Sequence, residues 1–395
     1  MEPVPPLPRR EPRVITGLGI VSPLGIGREA FETALATPEL LSNRPLSPVE
    51  TFDATKLENP PIAEVRGFDA AKYLGDKGLR TLDRLTKLMV VAARLGLVDA
   101  GIKKDGAFVH SSPQRAGIVS SNAYGSLEAI VELDRVAKLE DARYINPAKF
   151  PNTVANSASG YVSIWESLQA LNVAVSDGNC GGLDAFACAD IYLDSERADV
   201  LAVGGAEAMS EALFLAFEKF GALSDKTRLS EGAAFAIVEP AAHARARGAR
   251  GLAHILGFGT AFIPPEDDST LVHASSEALE RAVRDALADA EVAPEEVDVI
   301  ASSMLGVTLF DRSELRALSA VFPKDTCITA PKLMLGETLG AGGAMGVATA
   351  LAWLGGTTPA PVVQGTAKAK TRIALVTAMG FYGNASALVL KRYES

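Results

Sequence analysis

The 395-residue chain carries 48 acidic against 38 basic residues, a net charge of −10. That balance argues against a nucleic-acid-binding role, which needs a basic face. Hydrophobic residues make up 48% and charged residues 22%, the profile of a globular chain with a large core or two fused ones. The longest apolar stretches, Met345 to Leu354 and Ile373 to Met379, fall well short of the about 20 residues that a membrane span needs. Cys180, Cys188 and Cys327 are too few and too scattered for a disulfide framework or a metal site. No metal and no cofactor are expected, and the compartment is expected to be reducing and cytoplasmic.

Taken in chain order, the Pro-rich, charged start lacks the apolar run of a signal peptide and reads as a disordered lead over residues 1–12. The first strand is expected at Arg13 to Gly17, then a turn through Gly17, Gly19, Pro23 and Gly25, then a helix near Glu29 to Ala36. A helix follows over Asp83 to Ala100, with strands at Ala116 to Ser120, Val173 to Ser176 and Asp199 to Val203. The second half repeats this grammar. Strands are expected at His254 to Gly259, Val297 to Ser302 and Ile373 to Ala378, with helices at Ser275 to Ala290 and Arg312 to Val321. The alternation points to an α/β architecture.

Two segments recur between the halves in the same order. GIVSSNAYGS at Gly117 to Ser126 is similar to VIASSMLGVT at Val299 to Thr308, and the Gly-rich helix after Asn179 is similar to the one after Glu337. A duplicated βα unit is implied, with halves at 13–250 and 251–395 joined through Ala241 to Gly251. Glycine in a helix interior costs about 1 kcal/mol relative to alanine. Two such Gly/Ala-rich helices therefore belong where backbones approach closely, at the centre of the molecule.

The chain resembles the β-ketoacyl synthase family from Val14 to Arg392. VITGLGIVSPLG at Val14 to Gly25, INPAKFPNTVANSASGYVSI at Ile145 to Ile164, ADVLAVGGAE at Ala198 to Glu207, LFDRSEL at Leu309 to Leu315, PKLMLGETLGAGGA and MGFYGNASALVLKR follow family order. The resemblance implies a duplicated thiolase-like fold, layered αβαβα with two mixed sheets. Active members use a cysteine that takes up an acyl chain and two histidines that assist decarboxylation of a malonyl-carrier. A cysteine suits that task because its thiolate is strongly nucleophilic and its pKa falls at a helix N-terminus.

All three positions differ here. The family's spacing back from Glu207 and from Asp199 puts the nucleophile place at Asn179, whose amide only exchanges hydrogen bonds. Cys180 is one residue later, about 100 degrees further round a helix, and is expected to be a buried structural thiol. The first histidine place falls on Ser303, counted from Asp311 and Glu314, and the second on Glu337, counted from Lys332. Neither side chain replaces an imidazole near neutral pH. His110, His243, His254 and His273 match no catalytic motif and are expected to be surface or incidental residues. Lys332, Asp311 and Glu314 are expected to form a buried polar scaffold, with Lys332 as partner of the Glu337 carboxylate. After FGALSDK, Phe220 to Lys226, the chain passes almost directly from Thr227 to GAAFAIVE, so a loop that lines the site in active members is shortened.

NCGGLDA at Asn179 to Ala185 is most similar to the chain length factor subunit of type II polyketide synthases, with Asn where Gln is usual. That resemblance implies a catalytically inactive subunit in a heterodimer with an active ketosynthase, working on acyl and malonyl chains of an acyl carrier protein. It would shape the tunnel for polyketide or polyene elongation. Asn122, Tyr124, Leu127 and Leu133 are the candidate tunnel or interface residues. Phe381 corresponds to the family's gating phenylalanine, although Tyr382 in place of Gly is expected to stiffen that loop. The alternative is an active β-ketoacyl synthase or a malonyl-carrier decarboxylase with an atypical site around Asn179 and Cys180.

Overall fold

A computed structural model describes residues 11–37, 49–55, 57, 60–223, 227–267 and 272–394. Its frame is eleven strands: β1 (Arg13–Ser22), β2 (Ala116–Ser121), β3 (Asn172–Val175), β4 (Val200–Glu207), β5 (Gly232–Pro240), β6 (Ala253–Phe262), β7 (Val299–Ala301), β8 (Cys327–Thr329), β9 (Val362–Gln364), β10 (Ile373–Met379) and β11 (Asn384–Arg392). They run in the order β9-β8-β7-β10-β11-β6-β1-β5-β4-β2-β3, with the short strand Gly25–Ile26 hung on β1.

The duplication is visible in this order. The first half runs β3-β2-β4-β5-β1 and the second β8-β7-β10-β11-β6, with β9 added outside. In each half the first two pairings are parallel and the last two antiparallel. The two halves, expected as two mixed sheets, join into one continuous mixed sheet because Arg13–Ile15 of β1 pairs with Ala253–Ile255 of β6. Helices Gly181–Asp194 and Gly342–Gly355 fill the centre, in one core cluster with apolar residues of both halves, such as Leu201, Val203, Val299 and Val376. Helices Arg84–Asp99 and Ser276–Asp289 cover the outer faces through separate clusters. The result is the thiolase-like α/β layering.

The central crossing needs glycine. A Cβ on Gly182 would lie 2.8 Å from the amide nitrogen of Ala344, and one on Gly343 would lie 2.7 Å from that of Leu183. The weak helix propensity of both segments is offset by this close approach.

Glycine also explains a correction at the first strand. β1 does not turn at Gly17 but continues to Ser22. Gly17 and Gly19 lie inside it because helix Arg84–Asp99 presses onto the strand there, and a Cβ on Gly19 would overlap the carbonyl oxygen of Ala92. β6 repeats the device. A Cβ on Gly259 would overlap the carbonyl oxygen of Ala282 on helix Ser276–Asp289, and both strands shift register just before their first glycine.

Other boundaries moved less. The helix expected from Arg312 begins at Thr308, and β4 runs on to Glu207. The connector from Ala241 contains helix Ala241–Ala246. Of the lead expected over 1–12, residues 1–10 lie outside the described residues. Glu11 and Pro12 are fixed, accepting hydrogen bonds from the amides of Ala242 and Ala241.

These packing constraints predict opposite effects for two glycines. Gly19→Val, placed against the Ala92 carbonyl, should destabilise by about 3 kcal/mol or more. Gly160→Ala, in helix Ser157–Glu166 with nothing near its Cβ position, should raise stability by about 0.5–1 kcal/mol. Urea unfolding of the purified variants measures both.

Candidate functional site

The apolar strand β2 ends in Ser121 and leads directly into Asn122, while the turn after β3 delivers Asn179 and Cys180 to the start of helix Gly181–Asp194. From the second half, the one-turn helix Lys332–Leu335 ends at Gly336, whose φ of 81° turns the chain so that Glu337 enters the same region. The backbone of Glu337 is held on both sides. Its amide donates to the Arg228 carbonyl at 2.8 Å and its carbonyl accepts from the Ser230 amide at 2.8 Å. Ser224–Lys226, just before this clamp, lie outside the described residues.

Asn179, Glu337 and Lys332 form one buried cluster. Lys332 Nζ donates to Glu337 Oε2 at 2.7 Å, the Asn179 amide donates to the same oxygen at 3.4 Å, and the Leu339 amide donates to Oε1 at 2.7 Å. Glu337 and Asn179 are each 2% exposed. Burying an ion pair is tolerable only with this degree of hydrogen bonding. Asn179 Oδ1 and Asn122 Oδ1 are buried acceptors with no partner among the described residues.

Ser303 does not join the cluster. Its hydroxyl donates to Glu314 Oε2 at 2.7 Å and its amide to Oε1 at 2.9 Å, while Thr377 donates to the same carboxylate at 2.6 Å. Burial raises the Glu314 pKa against these three donors. Asp311 is half-buried and receives the amides of Leu305 and Gly306 at 3.0 Å, and burial raises its pKa as well. The three scaffold residues thus separate. Lys332 holds Glu337, Glu314 fixes the turn at Ser303, and Asp311 fixes the turn after it.

Cys180 is fully buried in the central core, with Sγ 3.6 Å from the carbonyl oxygen of Ala378. Burial, then the carboxylates of Asp184 and Asp177, push its thiol well above the usual range. A helix N-terminus alone would lower it; desolvation wins here.

A mostly apolar cavity of about 230 Å³ opens above the cluster, with Glu337 in its wall among Phe217, Phe220, Phe310, Phe381 and Tyr124. The Phe381 ring packs on Phe310 and Phe217, at centroid distances of 5.1 and 6.1 Å. Of the candidate tunnel residues, Tyr124 and Phe381 reach this cavity. Leu127 packs in the neighbouring cluster with Met209, Leu213 and Phe214. Leu133 is half-buried on helix Leu127–Val136 outside the cavity, and Asn122 donates to the Ala155 carbonyl at 2.8 Å. Two histidines are less incidental than expected. His243 Nδ1 lies 2.6 Å from the buried Glu239 carboxylate, and His254 stacks on Tyr393. No cluster of metal-binding side chains occurs among the described residues, nor is any helix among them long and apolar enough to cross a membrane.

In the sequence, Glu207 served only as an anchor for register. In the structure its carboxylate is fully buried and accepts the amides of Ala123 at 2.7 Å, Gly340 at 3.2 Å and Tyr124 at 3.3 Å. It therefore ties the segment after β2 to the lead of helix Gly342–Gly355. The signal for it was present: an acidic residue closes an otherwise apolar strand. The phenylalanine wall left no comparable pattern, since Phe217, Phe310 and Phe381 come from separate segments.

The chain matches "Beta-ketoacyl synthase, N-terminal domain" over residues 10–249 and "Beta-ketoacyl synthase, C-terminal domain" over residues 252–365. It belongs to the β-ketoacyl synthase family. It is 30% identical to the tetracenomycin polyketide synthase ketoacyl synthase beta subunit of Streptomyces glaucescens, across 97% of this chain and 98% of that one. It is 29% identical to the 3-oxoacyl-[acyl-carrier-protein] synthase 2 of Coxiella burnetii, across 84% and 83%. The ishigamide ketosynthase/chain length factor has the same fold, with a TM-score of 0.86 at 24% identity, covering 98% of this chain and all of that one. Relatives thus include both a polyketide synthase beta subunit and a 3-oxoacyl-[acyl-carrier-protein] synthase.

Burial raises the pKa of Glu207 from 4.5 to about 7, against the three amides that favour the carboxylate. The folded state then keeps a proton that the unfolded chain releases near 4.5. This contribution to stability is complete below that pH and is lost as pH rises through about 7. A tenfold difference in proton affinity between the two states is worth about 1.4 kcal/mol. Glu207→Gln should flatten the fall in stability between pH 4.5 and 7, as read from urea unfolding at a series of pH values. An unchanged slope would contradict the assignment.

Proposed function

We propose that this chain is a catalytically inactive, chain-length-factor-like subunit that pairs with an active ketosynthase and forms part of the tunnel for a carrier-bound polyketide or polyene chain. The observation that carries this reading is the Asn179–Glu337–Lys332 cluster, at positions to which the family resemblance assigns a thiol and an imidazole. An amide cannot form a thioester. An anionic carboxylate beside it would also oppose, by charge repulsion, the carbanion that decarboxylation generates. Against a nucleophilic Cys180 stand its burial, its contact with the Ala378 carbonyl and its raised pKa.

The similarity to a polyketide synthase beta subunit over 97% of the chain supports the same assignment. β3 is an edge of the sheet, and helix Ser157–Glu166, with Ile164 exposed, packs beside it. Ile130, Val131, Leu139, Tyr144 and Phe150 expose further apolar side chains on the segments between β2 and β3. An open edge strand and exposed apolar side chains favour burial against another subunit. The proposed occupant is the active ketosynthase, whose own cysteine carries the growing chain. The elongating chain would pass the segment Asn122 to Leu133, where side-chain bulk limits its length by steric exclusion.

Co-expression with a ketosynthase encoded beside it tests the proposal. The two chains should co-purify and condense malonyl units from a carrier protein, while this chain alone should turn over nothing. Tyr124→Ala and Leu127→Ala in the complex should lengthen the main product by at least one two-carbon unit, as read by mass spectrometry. Product length unchanged in both variants would remove the tunnel role, and turnover by the isolated chain would overturn the whole reading.

A further inference from the structure

A second cavity, sharing no residue with the one above Glu337, lies where the connector between the halves returns to the start of β6. It measures about 540 Å³, within the range of small-molecule sites. Its lining combines the apolar Leu252, Leu351 and Leu354 with the basic Arg28, Arg250 and Arg392. Tyr393 backs it, lying so close over Gly251 that a Cβ there would overlap the ring, with its own ring stacked on His254 at 5.0 Å.

The charges are unequally committed. Arg28 already holds Asp99 at 2.9 Å and Glu32, the carboxylate lining the cavity, at 3.4 Å. Arg250 and Arg392 make no ion pair or side-chain hydrogen bond among the described residues. Elsewhere in the molecule Arg13, Arg84, Arg94, Arg115, Arg247 and Arg284 each hold a carboxylate, whereas exposed arginines such as Arg80, Arg135 and Arg245 hold none and line neither cavity. Two uncommitted guanidiniums in one concavity, on a chain of net charge −10, make a local anion-attracting field that the overall charge conceals. A phosphate group has enough oxygens to accept from two planar guanidinium forks at once.

We propose that this cavity binds a small organic phosphate, with the phosphate on Arg250 and Arg392 and the remainder of the molecule along Leu252, Leu351 and Leu354. Such a site is independent of the proposed subunit role, since it uses none of the residues of the Glu337 cluster.

Isothermal titration of the full chain, with its partner where the two co-purify, tests it with ADP and with inorganic pyrophosphate at matched ionic strength. Saturable binding of at least one probe is expected, weakened at least tenfold in Arg250→Gln/Arg392→Gln. Circular dichroism and melting of that variant should match the wild type, because neither side chain holds a partner. Glu32→Gln, which removes the carboxylate from the wall, should tighten binding. Absence of saturable binding for both probes, or equal binding by the double variant, would overturn the proposal.

Discussion

A carboxylate buried between two glycine-rich helices sets the character of this molecule. Glu337 takes Lys332, Asn179 and the Leu339 amide on its side chain, and the Arg228 carbonyl and Ser230 amide on its backbone. Those contacts join the first half to the second at the point where the fold brings its helix N-termini together. Removing either charge would leave the other buried and uncompensated, a loss of about 3–5 kcal/mol by comparison with similar pairs. On the proposed reading, the interactions that other members direct at a substrate are here directed at holding the halves together.

The surrounding polar groups follow the same rule. Glu207 gathers three amides, Glu314 gathers Ser303 and Thr377, and Asp311 gathers the next two amides. Each carboxylate has its donors within the chain. Among the buried polar atoms that lack a partner in the described residues, which include Ser120 Oγ and Ser121 Oγ, Asn179 Oδ1 lies in the Glu337 cluster and Asn122 Oδ1 opens the proposed tunnel segment. A polar atom buried without a partner is unfavourable, so these two positions are where a carrier-bound chain or ordered water has most to offer.

Much of this was legible in the sequence, and the reasons differ by element. The duplication could be read because both halves repeat the same strand end, Gly117 to Ser126 and Val299 to Thr308, and need a Gly/Ala-rich helix where backbones approach closely at the centre. The pairing of Lys332 with Glu337 could be anticipated because a buried lone carboxylate is costly. Gly17 and Gly19 read as a turn in the sequence because a glycine that allows close approach and one that allows a bend look alike there. Leu133 was grouped with Tyr124 by proximity along a helix, whereas the cavity is walled by phenylalanines from distant segments that only the packing brings together. The separation of Ser303 from Asn179 and Glu337 depends on which carboxylate captures the hydroxyl, a tertiary choice that spacing does not encode.

The central claim is that this chain offers no nucleophile to an acyl group. Intact-mass spectrometry of the co-purified complex, after incubation with an acyl-carrier thioester, measures this directly. The account predicts an acyl adduct on the ketosynthase partner and an unmodified mass for this chain. An acyl group on this chain, mapped to Cys180, would contradict it.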